Sequence, residues 1–269
     1  MIIGFDKGAT ATKIVGMRGR ELLFKSSFSG DGTPAGELVV RVLSENGCLA
    51  DEVELIAATG VGAEGCDFSA IAASVKPVPE IEATGEGGMF LAGLSEGVVV
   101  SIGTGTSLAL AKGGKYSHIG GSGVGSGTLR GLCKYMFGKE DLKALFGIAE
   151  EGNRLLVDLT IADLFSGTDT LPPDLTASNL AKASDGATAA DWAQAVINMV
   201  LEVAGSHAAL ACGGYGVKNV VITGGVAVTP IAKRVYDGFT RLYGLNYIIP
   251  QNADCATAIG AARRADNGI

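Results

Sequence analysis

The first apolar run, Met1 to Phe5, stops at an acid, Asp6, and an apolar stretch resumes from Lys13 to Met17 after a short polar turn. Short apolar runs bounded by turn residues predict buried strands, so the chain opens as strand–turn–strand. The pattern then predicts a strand over Glu21 to Ser27, a helix over Thr33 to Ser44 and a strand over Val53 to Ala58. It starts again at Val98 with a hairpin through Ala111, followed by helices over 126–150 and from Ala189 to Cys212. The end alternates strand (Val217 to Thr223), helix (Ile231 to Tyr243), strand (Asn246 to Ile249) and helix (Cys255 to Asp266). The polar stretch Lys112 to Ser117 predicts a loop. Strands alternating with helices predict an α/β architecture of sheets covered by helices. Each half opens with a hairpin, so the chain divides into residues 1–97 and 98–269, a duplicated fold with its ligand in the cleft between halves. The repetition is architectural, with no clear repeat of residues.

Four glycine-bearing turns punctuate these elements. The first joins Asp6 to a turn holding Gly8, Thr10 and Thr12. Such a turn offers amides and hydroxyls to an anion beside a carboxylate able to hold hydrated Mg²⁺. The second is Gly103-Thr-Gly-Thr-Ser107, and the third runs from Gly120 to Gly131 into a helix-like segment, Thr128 to Phe137. A glycine-rich turn feeding a helix N-terminus suits an anion. The fourth carries the strand ending at Thr223 through Gly224-Gly225 towards a helix. The third run never completes Gly-x-Gly-x-x-Gly and follows a polar loop, so a dinucleotide-binding reading is weak. Four loops converging on one nucleotide is the stronger one.

Composition narrows the class. Glycine is abundant, 41 of 269 residues, but it gathers in punctuating loops. A net charge of −7 with no basic cluster argues against nucleic acid or anionic membrane as partner. An acid at residue 6 and no apolar run near membrane-spanning length predict neither export signal nor membrane anchor. Five scattered cysteines without a C-x-x-C read as reduced, mostly buried residues of a cytoplasmic protein. The two histidines, His118 and His207, make neither a zinc site nor a Ser-His-Asp hydrolase; His207 reads as structural.

These motifs carry a family resemblance. Asp6-Lys-Gly-Ala-Thr10 resembles the first phosphate loop of the acetate and sugar kinase, Hsp70 and actin superfamily, Gly103-Thr-Gly-Thr-Ser107 its second, and Thr223-Gly-Gly225 its adenosine motif. More narrowly, the chain resembles the type II pantothenate kinases nearly end to end. Val78-Pro-Glu-Ile-Glu-Ala83, Ile102 to Leu108, Gly120 to Leu132, Gly152-Asn-Arg154 and Pro173 to Asn179 carry that likeness.

The resemblance implies a duplicated actin-like (ribonuclease H-like) ATPase fold, ATP with Mg²⁺ as cofactors, pantothenate as acceptor and a homodimer. It assigns nucleotide contacts to Asp6, Lys7, Gly8, Ala9, Thr10, Lys13, Thr104, Thr106, Ser126, Gly127, Thr128, Leu129, Arg130 and Gly225. Asp6 would hold Mg²⁺ through water. Lys7 is read as pointing to solvent. Glu80 matches the family's catalytic base, with Thr106 and His118 beside the acceptor, while Glu82 and Glu86 are read as structural or Mg²⁺-related. A carboxylate suits phosphoryl transfer because the acceptor hydroxyl must be oriented and its proton taken; on local sequence alone, these acids equally fit the solvated, positive end of a helix. His118 stands where the family usually has an arginine. Histidine grips a carboxylate less well, so either it does a weaker version of that job, with binding falling as pH rises, or the acceptor is a related alcohol such as pantetheine. A sugar kinase, or an ATPase that activates a partner through an iron–sulfur cluster, are the alternatives on the same fold.

Overall fold

In the computed structural model, which describes residues 1–29, 32–138, 140–165 and 171–266, the opening hairpin seeds a five-stranded sheet. β1 (Ile2–Lys7), β2 (Ala11–Arg18) and β3 (Glu21–Ser29) form an antiparallel meander. After α1 (Ala35–Glu45), β4 (Leu55–Thr59) and β5 (Ser74–Pro77) extend the other side in parallel, giving the order β3-β2-β1-β4-β5. α2 (Glu80–Ala92) leads to a second meander of β6 (Gly97–Ile102), β7 (Thr106–Lys112) and β8 (Lys115–Ser122). An insert then holds α3 (Ser126–Phe137), α4 (Leu142–Ala149), β9 (Leu159–Thr160), α5 (Ile161–Leu164) and β10 (Thr176–Ser178). The chain closes with α6 (Ala189–Tyr215), β11 (Asn219–Thr223), α7 (Pro230–Tyr243), β12 (Asn246–Ile248) and α8 (Ala256–Asp266). The second sheet is ordered β8-β7-β6-β11-β12, the order of the first repeated element for element. This is the duplicated α/β fold expected from the sequence.

Three differences have physical causes. The stretch read as a polar loop, Lys112 to Ser117, largely belongs to β8, which has a neighbour on only one side. Edge strands commonly carry polar residues that discourage further pairing. β5, also an edge strand and mostly exposed, escaped notice for the same reason. Finally, α6 is long and apolar enough to span a membrane by length and composition, contrary to the expectation that no run was. It is instead the spine of the second half: Val196, Ile197, Val200, Leu201 and Ala204 pack among Val98, Val100 and Ile222.

Strand alternation sorts the layers. Ile3 and Phe5 face α1 with Ile56 and Leu38, whereas Val15, Met17 and Ala57 face α8. In the second sheet, Val99, Ala109 and Val221 face α2. The helices therefore trade places: α2 follows the first sheet but covers the second, and α8 follows the second but covers the first.

The two helices cross where Gly87 and Gly260 admit the partner's backbone. A β-carbon on Gly87 would collide with the Ala256 carbonyl, and one on Gly260 with the Ala83 carbonyl. Thr84 and Thr257 meet in the same buried interface, hydroxyl to hydroxyl at 3.2 Å.

A glycine-to-alanine change in a helix normally gains up to about 1 kcal/mol. At the crossing the sign should reverse: Gly260→Ala is expected to destabilise by about 1–3 kcal/mol through overpacking. Gly213→Ala, at an exposed position of α6 with open space around it, should instead stabilise. Urea unfolding of both variants measures the contrast; equal effects would show that the crossing tolerates the extra carbon.

Candidate nucleotide and phosphoryl-transfer site

The two hairpin loops meet across the cleft. Thr10 Oγ1 of the β1–β2 turn lies 3.2 Å from Thr104 Oγ1 of the β6–β7 turn. The glycine-rich run closes onto the second turn from the other side, with the Ser126 amide donating to the Gly103 carbonyl at 2.8 Å and the Gly127 amide to that of Thr104 at 2.9 Å. Gly125 is wedged against the carbonyls of residues 103–105, where no side chain fits. Behind it, Thr106 is buried and its hydroxyl donates to the Val124 carbonyl at 2.8 Å. The exposed Gly225 follows Gly224, which packs on the Ile102 carbonyl at the end of β6. All four glycine turns thus lie at one end of the two sheets.

Two assignments change in detail. The start of α3 was expected to offer its amides to an anion, but those of Ser126 and Gly127 are spent tying loop to loop. Leu129 is no ligand: its side chain is wholly buried in the core and its amide donates to Gly125 at 3.1 Å. Thr128 is likewise turned inward, accepting from the Gly125 amide and donating to the Gly123 carbonyl, both at 3.2 Å. Arg130, in the first turns of α3, has a buried Nε without a protein partner.

Asp6 sits at the buried end of β1, with Lys13 beside it in register on β2 and Nζ 4.0 Å from Oδ2. Burial pushes the Asp6 carboxyl up to about 6; the Lys13 charge works against this and the Glu80 charge adds to it. Among the described residues no hydrogen bond reaches this carboxylate. Lys7 alternates to the other face and runs its stem along Gly62. Gly8 is exposed, with its amide closing the turn on Ala11 at 3.0 Å, and Ala9 lies beside it at the exposed tip.

Glu80 opens α2 after Pro79, at the positive end of the helix. Its neighbours are tied down: Glu82 pairs with Arg264, and Glu86 takes Arg263 Nε at 2.8 Å and the Tyr116 hydroxyl at 2.9 Å. Glu80 has no such partner among the described residues. His118 lies exposed on β8, two residues nearer the cleft than Tyr116 and on the same face. His207 is exposed on α6, away from the turns.

The motifs at 152–154 and 173–179 lie elsewhere. Arg154 bridges Asp158 and Thr176 at 3.3 and 2.9 Å, and Glu202 accepts from Thr176 and Asn179 at 2.7 and 2.8 Å. They sew the insert to α6.

These residues fit ATP with Mg²⁺. Asp6 could hold a hydrated cation, Lys13 and Arg130 could meet phosphate oxygens with charge, and Thr10 with Thr104 could offer donors between the halves. A duplicated pair of sheets closing glycine turns around a buried carboxylate defines the actin-like ATPase class of fold. Within that class the chain belongs to the Fumble family, whose profile matches residues 97–232. A type II pantothenate kinase of Staphylococcus aureus (strain USA300) is 28% identical over 272 residues, covering 97% of this chain and 98% of that one. Among solved structures, the activator of the 2-hydroxyisocaproyl-CoA dehydratase from Clostridium difficile, with bound ADPNP, superposes with a TM-score of 0.70 at 18% identity, over 99% of this chain and 94% of that one. A ROK hexokinase from Thermus thermophilus gives 0.53 at 16%, over 97% and 96%. Both show the fold.

The raised Asp6 carboxyl carries a stability consequence. Its pKa is about 6 in the folded chain against 3.8 for a free carboxyl, so folding favours the protonated form. The corresponding stability is complete below pH 4 and is lost as pH rises through about 6. Asp6→Asn should remove that loss, making the metal-free variant more stable than wild type at pH 7.5 by up to about 3 kcal/mol. The gap should close at pH 4. Urea unfolding at the two pH values checks this, and a gap independent of pH would refute the assignment.

Proposed function

We propose that the protein is a pantothenate kinase, transferring the γ-phosphoryl group of Mg·ATP to the primary hydroxyl of pantothenate, the first step of coenzyme A biosynthesis. The observation that carries this reading is Glu80. Among the described residues it is the one carboxylate of the first turns of α2 left without an ion pair, and its charge is felt by Asp6. A base must reach the acceptor's hydroxyl with its lone pairs free, and the crossing with α8 holds α2 while leaving Glu80 unencumbered. Lys13 and Arg130 balance charge on the phosphate oxygens, and the Thr10–Thr104 contact brings the two halves to the transferring group. When bound, Mg²⁺ supplies further charge neutralisation between the phosphates. The family and the Staphylococcus relative support the same chemistry, along with a small-molecule substrate. We further take the enzyme to be a cytoplasmic homodimer with no nucleic acid or membrane partner.

Glu80→Gln is expected to leave ATP affinity unchanged and lower kcat by roughly 10²–10⁴-fold, the size of a general-base contribution. Glu82→Gln should do markedly less, since its charge is already committed to Arg264. A coupled ADP-release assay reads both, and the reverse order would make Glu82 the base.

His118 decides the acceptor. If it holds the pantothenate carboxylate, His118→Arg should lower KM for pantothenate, because guanidinium grips a carboxylate bidentately and at every pH. His118→Ala should raise KM. Pantetheine outperforming pantothenate, with no gain from arginine, would replace the substrate while leaving the kinase standing.

A further inference from the structure

The duplicated sheets allow a comparison that the sequence conceals. β4 and β11 occupy the same position in their sheets, and both end in Thr-Gly: Thr59-Gly60 and Thr223-Gly224. Both glycines have a positive φ, +92° and +97°, and both sit where a β-carbon would strike the end of the neighbouring strand. The registers correspond as well. Thr59 stands opposite Asp6, and Thr223 opposite Ser101.

The two hydroxyls behave differently. Thr223 is buried and donates to the Val100 carbonyl of β6 at 3.1 Å, a structural bond between strands. Thr59 is also buried, 2% exposed, yet its Oγ1 has no hydrogen-bond partner among the described residues. A buried hydroxyl left unpaired is costly, and most such groups in folded proteins are satisfied. Beside it lies the Asp6 carboxylate, an acceptor that no hydrogen bond reaches. Paired strands lie about 4.8 Å apart, with in-register side chains on one face. A turn about χ1 moves a threonine hydroxyl between its staggered positions, so Thr59 needs only a rotamer change to reach Asp6.

We propose that Thr59 is a positioning residue for Asp6: in the nucleotide-loaded site its hydroxyl donates to the Asp6 carboxylate and fixes which oxygen faces the hydrated cation. Gly60 serves the same arrangement, because any side chain there would enter the space of the Asp6 Oδ1 atom. The inference rests on the nucleotide reading of the cleft. It assigns the first copy of a duplicated Thr-Gly end to the ligand and the second to the fold.

Titration calorimetry with ADPNP, in magnesium and in EDTA, beside ligand-free thermal melts, tests this on wild type, Thr59→Val, Thr59→Ala, Thr59→Ser and Thr223→Val. Thr59→Val should bind ADPNP in EDTA as wild type does and lose about tenfold or more of its affinity in magnesium, the size of one hydrogen bond to a charged group. Thr59→Ser should restore it. Ligand-free Thr59→Val should melt no lower than wild type, since no bond is lost, whereas Thr223→Val should melt lower. Thr59→Ala repeats the binding arm without β-branching. A lower melt for Thr59→Val with an unchanged magnesium effect, or equal losses in magnesium and EDTA, would overturn the proposal. Wild type binding no ADPNP in either condition would overturn the nucleotide reading itself.

Discussion

Everything at the cleft depends on one contact between backbones, the crossing of α2 and α8. Two glycines let each helix rest on the other's carbonyls, closer than any side chain allows. Because each helix covers the sheet that the other follows, this contact is the seam between the halves. It also sets the position of α2, and hence of Glu80 relative to Asp6. The ion pairs of Arg263 and Arg264 with Glu86 and Glu82 lie along the same seam. They neutralise the acids that would otherwise compete with Glu80 and fix the rotation of α2 about its axis. The helix that carries Glu80 is thus held by residues on the helix that follows the other sheet.

Duplication gave the molecule two copies of one frame, and one row of side chains shows how differently the copies are used. Across the first sheet the row reads Lys13, Asp6, Thr59; across the second it reads Ser107, Ser101, Thr223. One row is charged and poorly satisfied, the other neutral, with its threonine bonded between strands. Burial of a carboxylate without hydrogen bonds costs stability, and the first half bears that cost. The second half contributes its glycine turns as a rigid wall, with amides spent on loop carbonyls. The backbone there supplies shape, and charge comes from side chains such as Lys13, held beside Asp6.

Much of this was legible in the chain. The hairpins at 1–17 and 98–111 are local, and their apolar runs and glycine turns specify them without help from distant residues. The duplicated α/β plan followed from repetition of that pattern. What escaped was set by tertiary surroundings. β5 and β8 are edge strands whose exposed positions read as loop. Leu129 sits among residues that line the nucleotide turn, yet helix periodicity points it into the core. Ala83 and Gly87, like Ala256 and Gly260, show small residues four apart, but that spacing gains meaning only once the other helix is placed. Thr59-Gly60 had a visible signal, the same dipeptide closing the matching strand at Thr223-Gly224, and it needed the sheet order to be recognised.

The exchange of helices has a consequence for how the protein comes to be folded. The first sheet is synthesised early, but the helix covering its second face follows all the other elements in the chain. Until α8 arrives, Val15, Met17 and Ala57 lack the cover of Ala258, Ile259, Ala261 and Ala262. A nascent first half therefore carries a sticky, incomplete layer through most of translation. Contacts this distant in sequence slow folding and expose intermediates to association. The same architecture that ties α2 to the second sheet makes the first half dependent on α8, a helix far from it in sequence, for its second layer.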